Sequence, residues 1–128
     1  MVRGIRALEL AMPKNILIAD DDPAMLKLYS RIFAGKKHSI TLADSVKKAA
    51  GLIDANDYDL LITDLMFPDG LGTELARRFA KKHSKGRSLL VTGSQPGTFH
   101  FDTTHVAAWF GKPIDLDIFM DAVSKALA

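Results

Sequence analysis

In the stretch Tyr58–Gly72, YDLLITDLMFPDGLG, an apolar run ends abruptly in a carboxylate and a punctuated turn follows. Leu60, Leu61 and Ile62 have strand composition, Asp64 closes the run, and Pro68, Asp69, Gly70 and Gly72 supply turn chemistry. Asp64 is therefore expected at the carboxyl end of a buried strand, where open α/β sheets place their ligands. Three roles are open to it: nucleophile, metal ligand, or simply the polar residue at which a core strand meets water.

Upstream, NILIADDDP from Asn15 reads as a strand that runs into three aspartates, with Pro23 at a first helical position. Met25, Leu28, Tyr29, Ile32 and Phe33 recur at helical spacing, so Pro23–Ala34 is expected to be an amphipathic helix stopped by Gly35. His38–Ala43 reads as a second strand. Asp44-Ser45 then caps a helix to about Ala55, with Val46, Ala49, Ala50 and Ile53 inward.

Downstream, Leu71, Leu75, Ala76 and Phe79 mark a third helix whose end gathers Arg77, Arg78, Lys81 and Lys82. Those cations read more simply as a solvated face than as a dock for an acidic partner. Arg87–Val91 and Val106–Phe110 are the fourth and fifth strands, the latter closed by Gly111-Lys112-Pro113. A last helix runs from Asp115 to about Leu127, with Leu116, Phe119, Met120, Val123 and Leu127 on its apolar side. Alternating strands and helices imply one doubly wound five-stranded parallel sheet, flavodoxin-like, of order 2-1-3-4-5.

With 128 residues, 48% of them hydrophobic and 25% charged, the chain suits a single globular domain. A net charge of +2 with interspersed signs gives no field that demands nucleic acid. The absence of cysteine excludes disulfides and thiolate metal sites and fits a cytoplasmic location. Glu9 and Pro13 break the apolar content of the start well short of a membrane span, so residues 1–13 are expected to form an extension outside a domain covering 14–128.

Parallel strands bring Asp20, Asp21, Asp64, Thr92 and Lys112 to one edge of the sheet. Carboxylates crowded into one crevice repel unless a cation joins them, and a hard divalent ion with oxygen ligands such as Mg²⁺ fits.

These residues carry a family resemblance. ILIADDDP, DLMFPDGLG, VTGS and WFGKP, in this order and spacing, resemble the acidic turn, phosphoacceptor loop, hydroxyl-bearing strand end and lysine-proline motif of the receiver domains of bacterial response regulators. The resemblance implies that Asp64 accepts a phosphoryl group from a phosphohistidine on a histidine kinase or histidine phosphotransfer protein. Mg²⁺ would be held by Asp20, Asp21, Asp64 and the backbone carbonyl of Met66. Lys112 would pair with Asp64 and then with a phosphoryl oxygen, and the Thr92 hydroxyl would donate to another. Thr92 and Trp109 would act as the switch, with Trp bulkier than the Tyr or Phe expected there. A phosphoacceptor of this kind is not a turnover enzyme. Its downstream target is a protein, with no direct nucleic acid or membrane contact, and homodimer formation stays open.

Asp22, before Pro23, is better explained as a helix cap than as a metal ligand. Pro68 and Gly72 are expected to shape the loop and enter no chemistry. His100, Asp102 and His105 make a poor metal set without cysteine or a second cluster. Thr92–His105, TGSQPGTFHFDTTH, departs from the family: its Pro, Gly and Thr content predicts a short or distorted fourth helix, so the family's output surface does not carry over. Two other functions remain. One is a receiver-like binding module that works without phosphorylation. The other is an aspartate-nucleophile phosphatase built on the Asp20-x-Asp22 pair.

Overall fold

The computed structural model describes residues 12–93 and 102–128. From the amino end, β1 (Asn15–Ala19), α1 (Pro23–Phe33), β2 (Ser39–Ala43), α2 (Val46–Ala55) and β3 (Leu60–Thr63) alternate as the apolar periodicity requires. A small hairpin follows, β4 (Met66–Phe67) and β5 (Gly70–Leu71), and then α3 (Gly72–Lys82), β6 (Arg87–Thr92), β7 (Ala108–Gly111) and α4 (Leu116–Leu127). The main sheet is parallel throughout, in the order β2-β1-β3-β6-β7, which is the expected 2-1-3-4-5 once the hairpin strands are set aside. Residues 1–11 of the expected extension, and 94–101 of the expected fourth helix, lie outside the described residues.

Successive side chains of a strand face opposite ways, and the core is accordingly double. Ile16 and Ile18 join Leu60, Ile62, Leu89 and Val91 on one face, under Tyr29 and Phe33 of α1 and Phe119 and Val123 of α4. Leu17, Ala19 and Leu61 face the other way, under Ala49 and Ile53 of α2 and Leu75 and Phe79 of α3. Burial on both faces is why β1 and β3 read as continuous apolar runs.

Several boundaries differ from the sequence reading for local reasons. The Val106 amide donates to the Thr103 carbonyl in a turn, so β7 starts only at Ala108. Ala34 caps α1 instead of continuing it, and Gly35 follows at φ +71°. Leu71 belongs to the hairpin and is the N-cap of α3, so the apolar stripe of that helix begins at Leu75. Leu28 and Leu116, both assigned to apolar helix faces, are exposed.

The helix ends are tied down by named groups. Asp22 accepts from the Ala24 amide at 2.9 Å, as its place before Pro23 suggests, and Ser45 accepts from the Lys48 amide at 3.0 Å. At the far end of α2, the Lys82 ammonium donates to the carbonyls of Ile53, Asp54 and Asn56 at 2.6, 3.0 and 2.7 Å. A cation there satisfies orphan carbonyls and faces the negative end of the helix dipole. Arg78 pairs with Asp54, its Nε donating at 2.8 Å. Two members of the basic group on α3 are thus engaged with α2, which locks the two helices together.

Replacing Lys82 with Met keeps the alkyl stem and removes three charge-assisted hydrogen bonds. Lys82→Met should lower stability by about 1–2 kcal/mol in urea denaturation, whereas Lys81→Ala should change it little.

Candidate functional site

The strand ends deliver the site. Asp20 and Asp64 follow directly on β1 and β3, and their amides donate to the carbonyls of Ala43 at 3.0 Å and Ala19 at 2.9 Å, continuing the ladder one step beyond each strand. Lys112 follows β7 in the same way, its amide donating to the Thr92 carbonyl at 3.0 Å. Thr92 is the buried last residue of β6. The Lys112–Pro113 peptide is cis.

The Lys112 ammonium lies 2.9 Å from Asp20 Oδ2 and 3.1 Å from Asp64 Oδ2, so one cation bridges two carboxylates. Asp64 Oδ1 accepts from the Leu65 amide at 2.7 Å, and Asp20 Oδ1 accepts from the Asp22 amide at 2.9 Å. Asp21 is exposed, but Asp20, Asp21 and Asp64 each present an oxygen within 4.8 Å of the others.

Asp20 is fully buried. Loss of water raises its pKa above the ordinary aspartate value, a shift that the Asp22 amide and Lys112 only partly offset and that repulsion from Asp64 reinforces. For Lys112, burial works against the charge, but the two carboxylates outweigh it and the pKa rises.

The residues present fit a hard cation. Asp20 Oδ2 is buried and, although it faces Lys112, no group among the described residues donates it a well-directed hydrogen bond. A buried carboxylate oxygen left in that condition, beside two further carboxylates and a single ammonium, is what an oxygen-liganded divalent ion would satisfy.

The backbone of Asp64 is held as firmly as its side chain. Its carbonyl oxygen accepts from Thr63 Oγ1 at 2.8 Å, and the Gly72 amide closes the loop onto the Leu65 carbonyl at 2.7 Å. A Cβ on Gly72 would collide with the Asp64 carbonyl and stand 2.8 Å from Thr63 Oγ1. Gly72 does more than shape the loop: only the absence of a side chain lets α3 begin against the backbone of Asp64. The signal in the sequence was the glycine itself, a residue type that permits close approach of one backbone to another.

Trp109 pairs in register with Leu90, while Ala108 and Phe110 turn toward the α1/α4 side. Its side chain is 40% exposed. Met66 is exposed at the start of β4. Asp102 accepts from the Thr104 amide and hydroxyl, a local turn, and forms no metal cluster with His105 among the described residues. His100 lies outside them.

Residues 16–124 match the family model described as the response regulator receiver domain. The chain belongs to that family. Among curated relatives, the receiver domain is 27% identical over 117 residues to the transcriptional regulatory protein GlrR of Escherichia coli, which is 90% of this chain and 26% of GlrR. It is 26% identical over 116 residues to the response regulator receiver protein CpdR of Brucella abortus, covering 89% of this chain and 97% of CpdR. The chain thus spans about a quarter of GlrR but nearly all of CpdR.

Among solved structures, the fold is shared with response regulator TrrA of Thermotoga maritima in complex with Mg²⁺ and BeF. The TM-score is 0.79 at 24% identity, over 88% of this chain and 98% of that one. TrrA in complex with the histidine kinase ThkA gives a TM-score of 0.78 at 24% identity, over 90% of this chain and 99% of that one. No described helix of the receiver domain is long and apolar enough to cross a membrane.

The charge balance and the packing of the site each make one expectation. Because Asp20 holds its proton more tightly folded than unfolded, the folded state binds more protons above the ordinary aspartate pKa of about 3.9, and stability falls as pH rises through that window. Asp20→Asn should therefore melt higher than wild type near pH 7 in EDTA, with a shallower pH dependence in calorimetry. Gly72→Ala should cost about 2 kcal/mol or more through the collision with Asp64, read as a lowered urea midpoint.

Proposed function

We propose that this receiver domain is a phosphoacceptor in a two-component phosphorelay, with Asp64 as the residue phosphorylated. The observation that carries the reading is the Lys112 ammonium 3.1 Å from Asp64, beside a cluster of oxygens suited to a divalent cation. The domain comprises residues 14–128, with 1–13 an extension, and works in the cytoplasm. Its partner is a histidine kinase or histidine phosphotransfer protein.

An Asp64 carboxylate oxygen forms a bond to phosphorus as the P–N bond to the donor imidazole breaks, the electron pair leaving on nitrogen. Phosphoryl transfer needs in-line positioning and charge neutralisation more than covalent help from the protein. The ladder hydrogen bond to Ala19 and the packing of Gly72 hold the nucleophile in place. Lys112, already paired with Asp64, follows the charge to a phosphoryl oxygen. The Thr92 hydroxyl, at the end of the adjacent strand, donates to a second. Asp21, Asp20 directly or through water, Asp64 and the Met66 carbonyl would hold Mg²⁺. When bound, that ion supplies positive charge against the carboxylates and the phosphoryl group. Trp109, at the surface of β7, and Thr92 form the switch that reports the change to a protein target.

Asp20 is a poor candidate for the nucleophile of a turnover phosphatase. Its side chain is only 1% exposed, which leaves no face for an incoming phosphoryl group. Asp64 is also largely buried, but its side chain keeps 11% exposure.

Incubation with a small phosphodonor such as acetyl phosphate should add one phosphoryl group in Mg²⁺, seen by intact mass, and none in EDTA. Label that persists in Asp64→Asn would overturn the assignment, as would multiple-turnover monoester hydrolysis that depends on Asp20.

A further inference from the structure

The hairpin that follows Asp64 is fastened to a helix remote in sequence. Asp69, at its tip, accepts from the Val46 amide at 3.0 Å through Oδ1 and from the Lys47 amide at 2.9 Å through Oδ2. These are orphan amides of the first turn of α2, a place where a carboxylate also meets the positive end of the helix dipole. The two amides hold Asp69 below the ordinary aspartate pKa, that of Lys47 foremost. α2 already has a conventional cap, since Ser45 accepts from Lys48. The two bonds from Asp69 serve the next two orphan amides, and they do so from a loop remote in sequence.

The rest of the hairpin is pressed onto the same helix. Phe67 is buried in the cluster formed with Ala49 and Ile53 of α2. Gly70, at φ +154°, approaches Val46 so closely that an added Cβ would lie 3.4 Å from Val46 Cγ2. Met66 pairs with Leu71 and Phe67 with Gly70, so fixing the tip fixes the short strand whose first residue is Met66. Met66 is the one proposed ligand that offers a backbone atom. Its carbonyl cannot adjust by side-chain rotation and depends on where the loop is held.

We propose that Asp69 is a positioning residue for the cation and phosphoryl site, acting through the hairpin, and that it couples that site to the first turn of α2. The inference rests on the phosphoacceptor reading. Coupling is reciprocal: if the clasp sets the site, loading the site tightens the clasp.

The test is calorimetric titration with MgCl₂ of wild type, Asp69→Ala, Asp69→Asn and Ser45→Ala, with amide exchange at Val46 and Lys47. Asp69→Ala should weaken Mg²⁺ binding about tenfold, the scale of losing an outer support of a ligand. Asp69→Asn, which keeps one acceptor, should weaken it less, and it carries the test if the alanine variant does not fold. Ser45→Ala removes a cap of the same helix without touching the hairpin, and should lower the melting temperature while leaving Mg²⁺ affinity unchanged. In wild type, Mg²⁺ should slow exchange of the Val46 and Lys47 amides. Wild-type affinity in the Asp69 variants, or equal weakening in Ser45→Ala, overturns the inference alone. Wild-type protein that takes up no Mg²⁺ overturns the phosphoacceptor reading with it.

Discussion

One ammonium set among three carboxylates is the constraint on which the rest of this structure depends. Lys112 lies within 3.1 Å of both Asp20 and Asp64, and Asp21 adds a further charge close by. The arrangement is underneutralised: a single positive charge cannot compensate three negative ones, one of which is wholly buried. A fold optimised for stability alone would not keep it. The parallel sheet makes it unavoidable, because strand ends on one edge bring their terminal residues together whatever their charge.

The support for this crowded edge comes from well away from it. Two apolar layers, one on each face of the sheet, hold β1 and β3 at the centre. Aromatic contacts on one side run from Tyr29 to Phe119 at 6.1 Å and on to Phe110 at 5.7 Å, ending two residues from Lys112. On the other side Lys82 and Arg78 fasten α3 to the end of α2. Rigid packing of this kind fixes charged groups that would otherwise relax toward water.

Much of the fold and of the candidate site was legible in the sequence because it rests on periodicity and order. NILIADDDP and DLLITD announce buried strands that end in acid, and a parallel topology requires their ends to meet Lys112. What escaped was tertiary. Asp69 reads as turn chemistry, and nothing local points to amides of Val46 and Lys47 more than twenty residues earlier. Lys82 reads as a cation suited to its own helix, yet it serves the end of another. Leu71 fits a helical stripe by spacing but belongs to a two-residue strand that is too short to show alternation. The weak start of β7 has the same origin, since the Val106 amide is taken by a turn.

Asp64 is held through its backbone as well as its side chain: its amide reaches the Ala19 carbonyl, its own carbonyl accepts from Thr63 Oγ1 and lies against Gly72, and its neighbour Leu65 bonds onward to Gly72. Scaffold and side-chain charge are therefore separable at this position. A copy of the gene could lose this carboxylate and still yield a folded domain with the same outer surface. Selection acting on shape alone would retain such a copy. A change at Gly72 offers no such half-way state, because it strikes the backbone that both properties share.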